Sequence, residues 1–175
     1  MQKSSLRALT LLLFTILILG GTVGAAEFYT KYDNDHRRSE PQEGHALVYV
    51  FRPATMGAAI KTWAFAGDEL LMVSKPKAYS FGQVPAGKVL FWTKSENTSA
   101  LELEVENGKT YYFKVKIKMG LGKARAKLLQ IDEAEAENYF KKCSYVEPSE
   151  EGLARAVEIV ANRKHRAVNK AAEAD

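Results

Sequence analysis

From His45 to Ile131 the chain breaks into short apolar runs rich in Val, Tyr, Phe and Trp, with turn residues roughly every ten positions. The runs span residues 46–52, 60–66, 69–73, 78–84, 88–94, 100–106, 110–118 and 124–131. Between them lie Arg52-Pro53, Gly67-Asp68, Pro85-Ala86-Gly87, Asn107-Gly108 and Gly120-Leu121-Gly122, which supply the fixed or positive φ angles that turns require. Strands this short, with turns this frequent, indicate an antiparallel sandwich or barrel rather than a parallel sheet. The pattern therefore predicts an antiparallel β-sandwich of about seven or eight strands over residues 45–131.

Register can be argued at one connection. Leu101, Leu103 and Val105 share one strand face, and Tyr111, Phe113, Val115 and Ile117 share a face of the next. A two-residue Asn107-Gly108 turn would put Glu104 opposite Tyr111. A three-residue loop with Gly108 as the left-handed bulge residue pairs Leu103 with Tyr111 and Leu101 with Phe113, keeping both apolar faces together. The second register is the expected one.

After Ile131 the period changes. Asp132 and Glu135 have capping-box spacing, and Lys141 and Lys142 close the helix they open. A second helix starts near Pro148-Ser149-Glu150-Glu151 and carries Leu153, Ala156, Val157, Val160 and Ala161 at helical spacing, with Arg163, Lys164 and Arg166 crowding its end. Residues 132–168 are thus expected to form two helices on or beside the sandwich, and 169–175 a frayed tail.

Residues 1–26 read as an export signal. Lys3 and Arg7 precede the apolar stretch from Leu9 to Leu19, and Gly24-Ala25-Ala26 offers small residues for cleavage. The stretch is shorter than the roughly 20 apolar residues a bilayer span needs. Cleavage would deliver the protein to the periplasm or beyond; an uncleaved signal would anchor it in the inner membrane. No transmembrane helix is expected in the mature chain. Residues 27–44 are polar and lack periodicity, as in a flexible linker.

Charge excludes one function class. The chain has 25 Lys and Arg against 21 Asp and Glu, and Lys3 and Arg7 leave with the signal, so the mature chain carries a net +2. Nucleic-acid binders have a larger basic excess. The single cysteine, Cys143, cannot form an intramolecular disulfide and is expected to be a small buried apolar residue.

Three segments carry a family resemblance: Ala46-Leu47-Val48-Tyr49-Val50-Phe51-Arg52-Pro53, Gly82-Gln83-Val84-Pro85-Ala86-Gly87-Lys88, and Asn107-Gly108-Lys109-Thr110-Tyr111-Tyr112-Phe113. In this order they resemble the bacterial family called domain of unknown function 2846, over about residues 45–145. The resemblance implies an exported β-sandwich envelope protein and brings no catalytic residues. Many such proteins are lipoproteins; this chain has no cysteine at the cleavage point for lipid attachment.

Catalytic and metal chemistry find little support. His36, His45 and His165 are scattered, without H-x-x-x-H or H-E-x-x-H spacing. Asp33-Asn34-Asp35-His36 begins like a calcium loop, but Arg38 occupies the position that requires Gly. Ser80 lies within a strand and not in a G-x-S-x-G elbow, and Gly120-Leu121-Gly122-Lys123 precedes a strand where a phosphate loop would open a helix. No cofactor is expected.

The 110–131 hairpin gathers cations on one face. With Met119–Gly122 as its loop, Lys118 faces Lys123, Lys116 faces Arg125 and Lys114 faces Lys127, with Glu102 and Glu104 on the neighbouring strand as partial compensation. Such a ladder either discourages edge pairing in solvent or meets an anionic envelope component. Trp63 and Trp92 are candidate stacking aromatics, although the Leu153/Val157/Val160 stripe of the last helix is a ready cover for that face.

The leading expectation is an exported, non-catalytic envelope protein with an interaction or structural role, partnered by an envelope protein, a glycan or anionic lipid. The alternative is a carbohydrate- or anionic-lipid-binding module using the ladder with Trp63 or Trp92. An enzyme of unrecognised type is third.

Overall fold

The computed structural model describes residues 27–31, 36–119 and 124–172. Residues 1–26, where an export signal is expected, the Asp33–Asp35 stretch, Lys123 and residues 173–175 lie outside the described residues. Among the described residues, ten strands and two helices follow in the order β1 (Tyr29–Lys31), β2 (His45–Arg52), β3 (Thr62–Ala66), β4 (Glu69–Ser74), β5 (Ala78–Pro85), β6 (Gly87–Lys94), β7 (Thr98–Val105), β8 (Thr110–Met119), β9 (Ala124–Ile131), α1 (Glu133–Phe140), β10 (Ser144–Pro148) and α2 (Glu150–Ala172). β2 to β9 fall within two residues of the expected runs. The chain is mainly β: a six-stranded sheet ordered β1-β10-β5-β2-β8-β9 packs on a four-stranded sheet ordered β4-β3-β6-β7.

Pairing is antiparallel except at two places, β2 with β8 and β10 with β5. The first corrects the expected 101–117 hairpin. β7 pairs only with β6, whereas β8 lies between β2 and β9 in the other sheet. Gly108, at φ 74°, thus turns a crossover between sheets. Leu101 and Leu103 still meet the core that holds Phe113. Apolar alternation is satisfied equally by pairing beside a strand and by facing it across a sandwich.

The core between the sheets is built from alternate residues such as Val48, Val50, Met72, Phe91, Phe113 and Val115. Phe91 of β6 meets Phe113 of β8 with ring centroids 4.7 Å apart, which joins the sheets at mid-strand. Central β2 is buried along both faces from Ala46 to Arg52, so its run is continuous rather than alternating.

Both helices cover outer faces. On the six-stranded sheet, α1 lowers Phe140 edge-on against Tyr49, Phe51 and Tyr79, at 5.1, 4.8 and 5.1 Å. The Asp132 carboxylate accepts from the Glu135 amide at 2.7 Å, making half of the expected capping box. On the four-stranded sheet, α2 seats Ala156, Ile159 and Val160 over Phe65 and Trp92, whose rings stack at 4.2 Å. Its expected Leu153/Val157/Val160 stripe is only partly right. Leu153 and Val157 are exposed, because the helix rolls Ala156 and Ile159 onto the sheet instead.

Residues 27–44 are not a free linker along their described length. β1 pairs antiparallel with β10, and the segment from Arg37 to Gln42 straps the aromatic outer face. The Tyr79 hydroxyl donates to the Arg37 carbonyl at 2.7 Å, the Ser39 amide donates to the Tyr49 hydroxyl at 2.8 Å, and the Gln42 amide donates to the Gln83 side chain at 3.0 Å. Phenol oxygens on a sheet face satisfy backbone groups, a tie that leaves no periodic signal. β10 likewise interrupts residues 132–168, which the sequence pattern predicts as two helices, and it pairs with β5. At the other end α2 runs to Ala172, so residues 169–172 continue the helix rather than fray.

Arg52 is fully buried at the end of β2. Its guanidinium donates to the carbonyls of Ile60 and Gly57, each at 2.5 Å, and of Ser74 at 3.2 Å. Burial holds it below its usual pKa. It serves as a polar core for the loop between β2 and β3.

Candidate functional site

The basic ladder forms on the outer face of β8 and β9, with a different register from the expected one. Lys118 lies opposite Arg125, Lys116 opposite Lys127 and Lys114 opposite Leu129. The shift is two residues, so every side chain keeps its face. Phe113, Val115 and Ile117 enter the core while Lys116 and Lys118 stand in solvent; Ala124, Ala126 and Leu128 alternate with exposed Arg125 and Lys127.

The sequence reading gave this ladder two acidic neighbours that it does not have. Glu102 and Glu104 sit on β7 in the other sheet, opposite Leu90 and Lys88, and Glu102 pairs with Lys88 at 2.9 Å. The acid that reaches the ladder is Glu135 of α1. It binds Lys114 at 2.5 Å and also accepts from the Tyr139 hydroxyl. These two bonds hold the Glu135 carboxyl below its usual pKa and raise that of Lys114. Lys116, Lys118, Arg125 and Lys127 have no carboxylate partner among the described residues. α1 thus divides the outer face into a covered aromatic half and an open basic half.

β9 is the edge of this sheet, and at Ala124 and Ala126 its outward backbone groups are capped from the turn between β6 and β7. The Asn97 amide donates to the Ala126 carbonyl at 2.9 Å and accepts from the Ala126 amide at 2.7 Å, and the Glu96 carboxylate accepts from the Ala124 amide at 2.7 Å. At this end of β9, strand addition is hindered without the lysines. Their role as edge guards is correspondingly reduced.

The two tryptophans lie on the opposite side of the sandwich, so they do not join the ladder in one site. Trp92 is 1% exposed beneath α2 and its indole donates to the Gly67 carbonyl at 2.6 Å. Trp63 is half-buried, with Phe28 against it at 5.7 Å and 69°. Trp92 therefore packs as core rather than as a platform.

A second basic feature was missed. Arg155, Arg163 and Arg166 of α2 line a cleft with Lys94 of β6. The sequence pattern shows Arg163 and Arg166 only as charges crowding the end of the last helix. The signal was there: with Ile159 they follow at offsets of four, eight and eleven, which is one helical face.

Cys143 is buried in the aromatic cluster under α1, where desolvation pushes its thiol up to about 12. No group of three or more His, Cys, Asp and Glu positioned to hold a metal occurs among the described residues. No helix among them is long and apolar enough to cross a membrane.

Fold and surface together define a two-sheet β-sandwich with a helix on each outer face and its charge gathered in basic patches. Its sequence matches the family described as "Protein of unknown function (DUF2846)" over residues 42–128, and the chain belongs to that family. The matched region runs from just before β2 into β9 and so contains the ladder; it excludes β1, β10 and both helices. An uncharacterized protein of Haemophilus influenzae is 28% identical over 103 residues, which is 58% of this chain and 61% of the relative. The match thus spans less than two thirds of that protein's length.

Proposed function

We propose that this is an exported, non-catalytic protein of the bacterial envelope, periplasmic or secreted, that docks on an anionic membrane surface through the outer face of β8 and β9. The observation that carries the reading is the set of four exposed cations, Lys116, Lys118, Arg125 and Lys127, without a carboxylate partner among the described residues, on a sheet whose edge is capped at Ala124 and Ala126. A cation near an anionic leaflet contributes about 1 kcal/mol. Four together give about 4 kcal/mol, which corresponds to roughly millimolar affinity. Docking of this strength is reversible, salt-sensitive and suited to a protein held close to a membrane by other means.

Cosedimentation of the mature protein with phosphatidylglycerol vesicles tests it, against phosphatidylcholine vesicles and an anionic polysaccharide at low and high salt. Binding to the phosphatidylglycerol vesicles should fall at high salt and be lost in Lys116→Glu/Arg125→Glu. Equal binding to neutral vesicles, indifference to the charge reversal, or binding to the polysaccharide alone would refute the membrane reading.

A further inference from the structure

α2 and the four-stranded sheet touch along the seam of Ala156, Ile159, Val160, Phe65 and Trp92, and beside that seam they part around a cleft of about 230 Å³. Four cations line it: Lys94 at the end of β6, and Arg155, Arg163 and Arg166 from one face of α2. Thr98, paired with Lys94 across the hairpin, and Asn162 add neutral donors, and no carboxylate is in the lining. Two of the cations already have contacts. Arg163 lies over the Trp92 ring, 4.7 Å from its centroid, and Arg155 pairs with Glu158 on the helix surface. Lys94 and Arg166 have no carboxylate partner among the described residues.

Cations gathered around one small cleft repel each other unless an anion lies between them. Seating Arg163 on Trp92 fixes one guanidinium at the cleft wall, which lowers the entropy lost when it binds a ligand. A carboxylate brings one charge to such a site. A phosphate monoester brings about −1.5 to −2 at neutral pH with three acceptor oxygens, and arginine forks match those oxygens two at a time.

We propose that this cleft binds a small phosphorylated solute, with Lys94, Arg155, Arg163 and Arg166 holding the phosphate and Asn162 and Thr98 holding its substituent. The site is independent of the β8–β9 face and lies on the opposite side of the sandwich. Lipid headgroups carry the same phosphate chemistry, and soluble phosphates tested beside phosphatidylglycerol vesicles tell the two sources apart.

Trp92 is a built-in reporter. In a Trp63→Phe background, glycerol 3-phosphate and pyrophosphate titrated at low salt should change its fluorescence saturably, with the same isotherm by calorimetry. Lys94→Gln/Arg166→Gln spares the Trp92 contact and should weaken binding at least about tenfold, the scale of one lost charge-assisted hydrogen bond. Lys116→Glu/Arg125→Glu should titrate like wild type, so that failure of this site and failure of the membrane reading are told apart. The proposal is overturned if neither phosphate saturates, if acetate at equal ionic strength gives the same response, or if Lys94→Gln/Arg166→Gln titrates unchanged. A response to phosphatidylglycerol vesicles without one to the soluble phosphates overturns it as well.

Discussion

Replacing Arg52 with Met should unfasten the loop between β2 and β3 while leaving the linear side-chain stem in place. The native guanidinium satisfies three backbone carbonyls, of Ile60, Gly57 and Ser74, and is itself fully buried. A buried acceptor left without a donor costs about 1–3 kcal/mol, so three could cost up to about 9 kcal/mol. Two effects reduce this. The variant no longer buries an uncompensated charge, whose desolvation is worth several kcal/mol. The loop can also swing outward and hydrate its carbonyls, at the expense of the contact where Gly57, at φ 67°, tucks under Ile117. The net loss should be about 3 kcal/mol. For a domain of this size that lowers Tm by about 6–12 °C. Arg52→Lys keeps the charge but cannot span all three carbonyls, so it should lose most of the same amount. Thermal denaturation by circular dichroism measures both, and limited proteolysis within residues 53–61 reports the loop itself. If Arg52→Met is as stable as wild type, desolvation outweighs the hydrogen bonds and the clamp is not what orders the loop. If only the lysine variant is stable, the charge matters and the fork does not.

The remaining predictions concern the cysteine and the seating of β1. Cys143 titrates from about 12 in the folded state and from its ordinary value of 9.0 when unfolded. Its contribution is present below pH 9 and is lost as pH rises towards 12, because only the unfolded thiol ionises in that window. Cys143→Ala should therefore lose less Tm than wild type between pH 8 and about 10.5; an identical fall in both would contradict the burial argument. Gly152 sits where a Cβ would come within 2.1 Å of the Phe28 carbonyl oxygen. Gly152→Ala should displace β1 from β10 and expose residues 27–31 to protease while the sandwich core keeps its sheet signal. Unchanged proteolysis would mean that the seating of β1 does not depend on this close approach.

The positions of β2 to β9 were legible because alternating apolar residues and turn formers act within a few residues of one another. So was the start of α1 at Asp132, where a side chain reaches an amide three residues on. The faces were legible too: Lys116, Lys118, Arg125 and Lys127 point outward as parity requires. The neighbours were not. A strand pattern states which side is apolar but not which strand lies beside it, so β7 and β8 read equally well as a hairpin or as members of opposite sheets. A two-residue slip in β8–β9 preserves every face and leaves no trace in the pattern, yet it moved Lys114 away from Lys127. Glu135 of α1 then bound Lys114, a contact set by helix docking. The strap of residues 37–42 and the cleft beside Arg163 depend on where a tyrosine hydroxyl or a helix end arrives in space. Sequence alone determined where the chain becomes strand or helix and which side of each strand is greasy, since both are local properties. Tertiary structure alone decided which cations stand unpaired and which share a cleft, since charges meet through packing between segments distant along the chain.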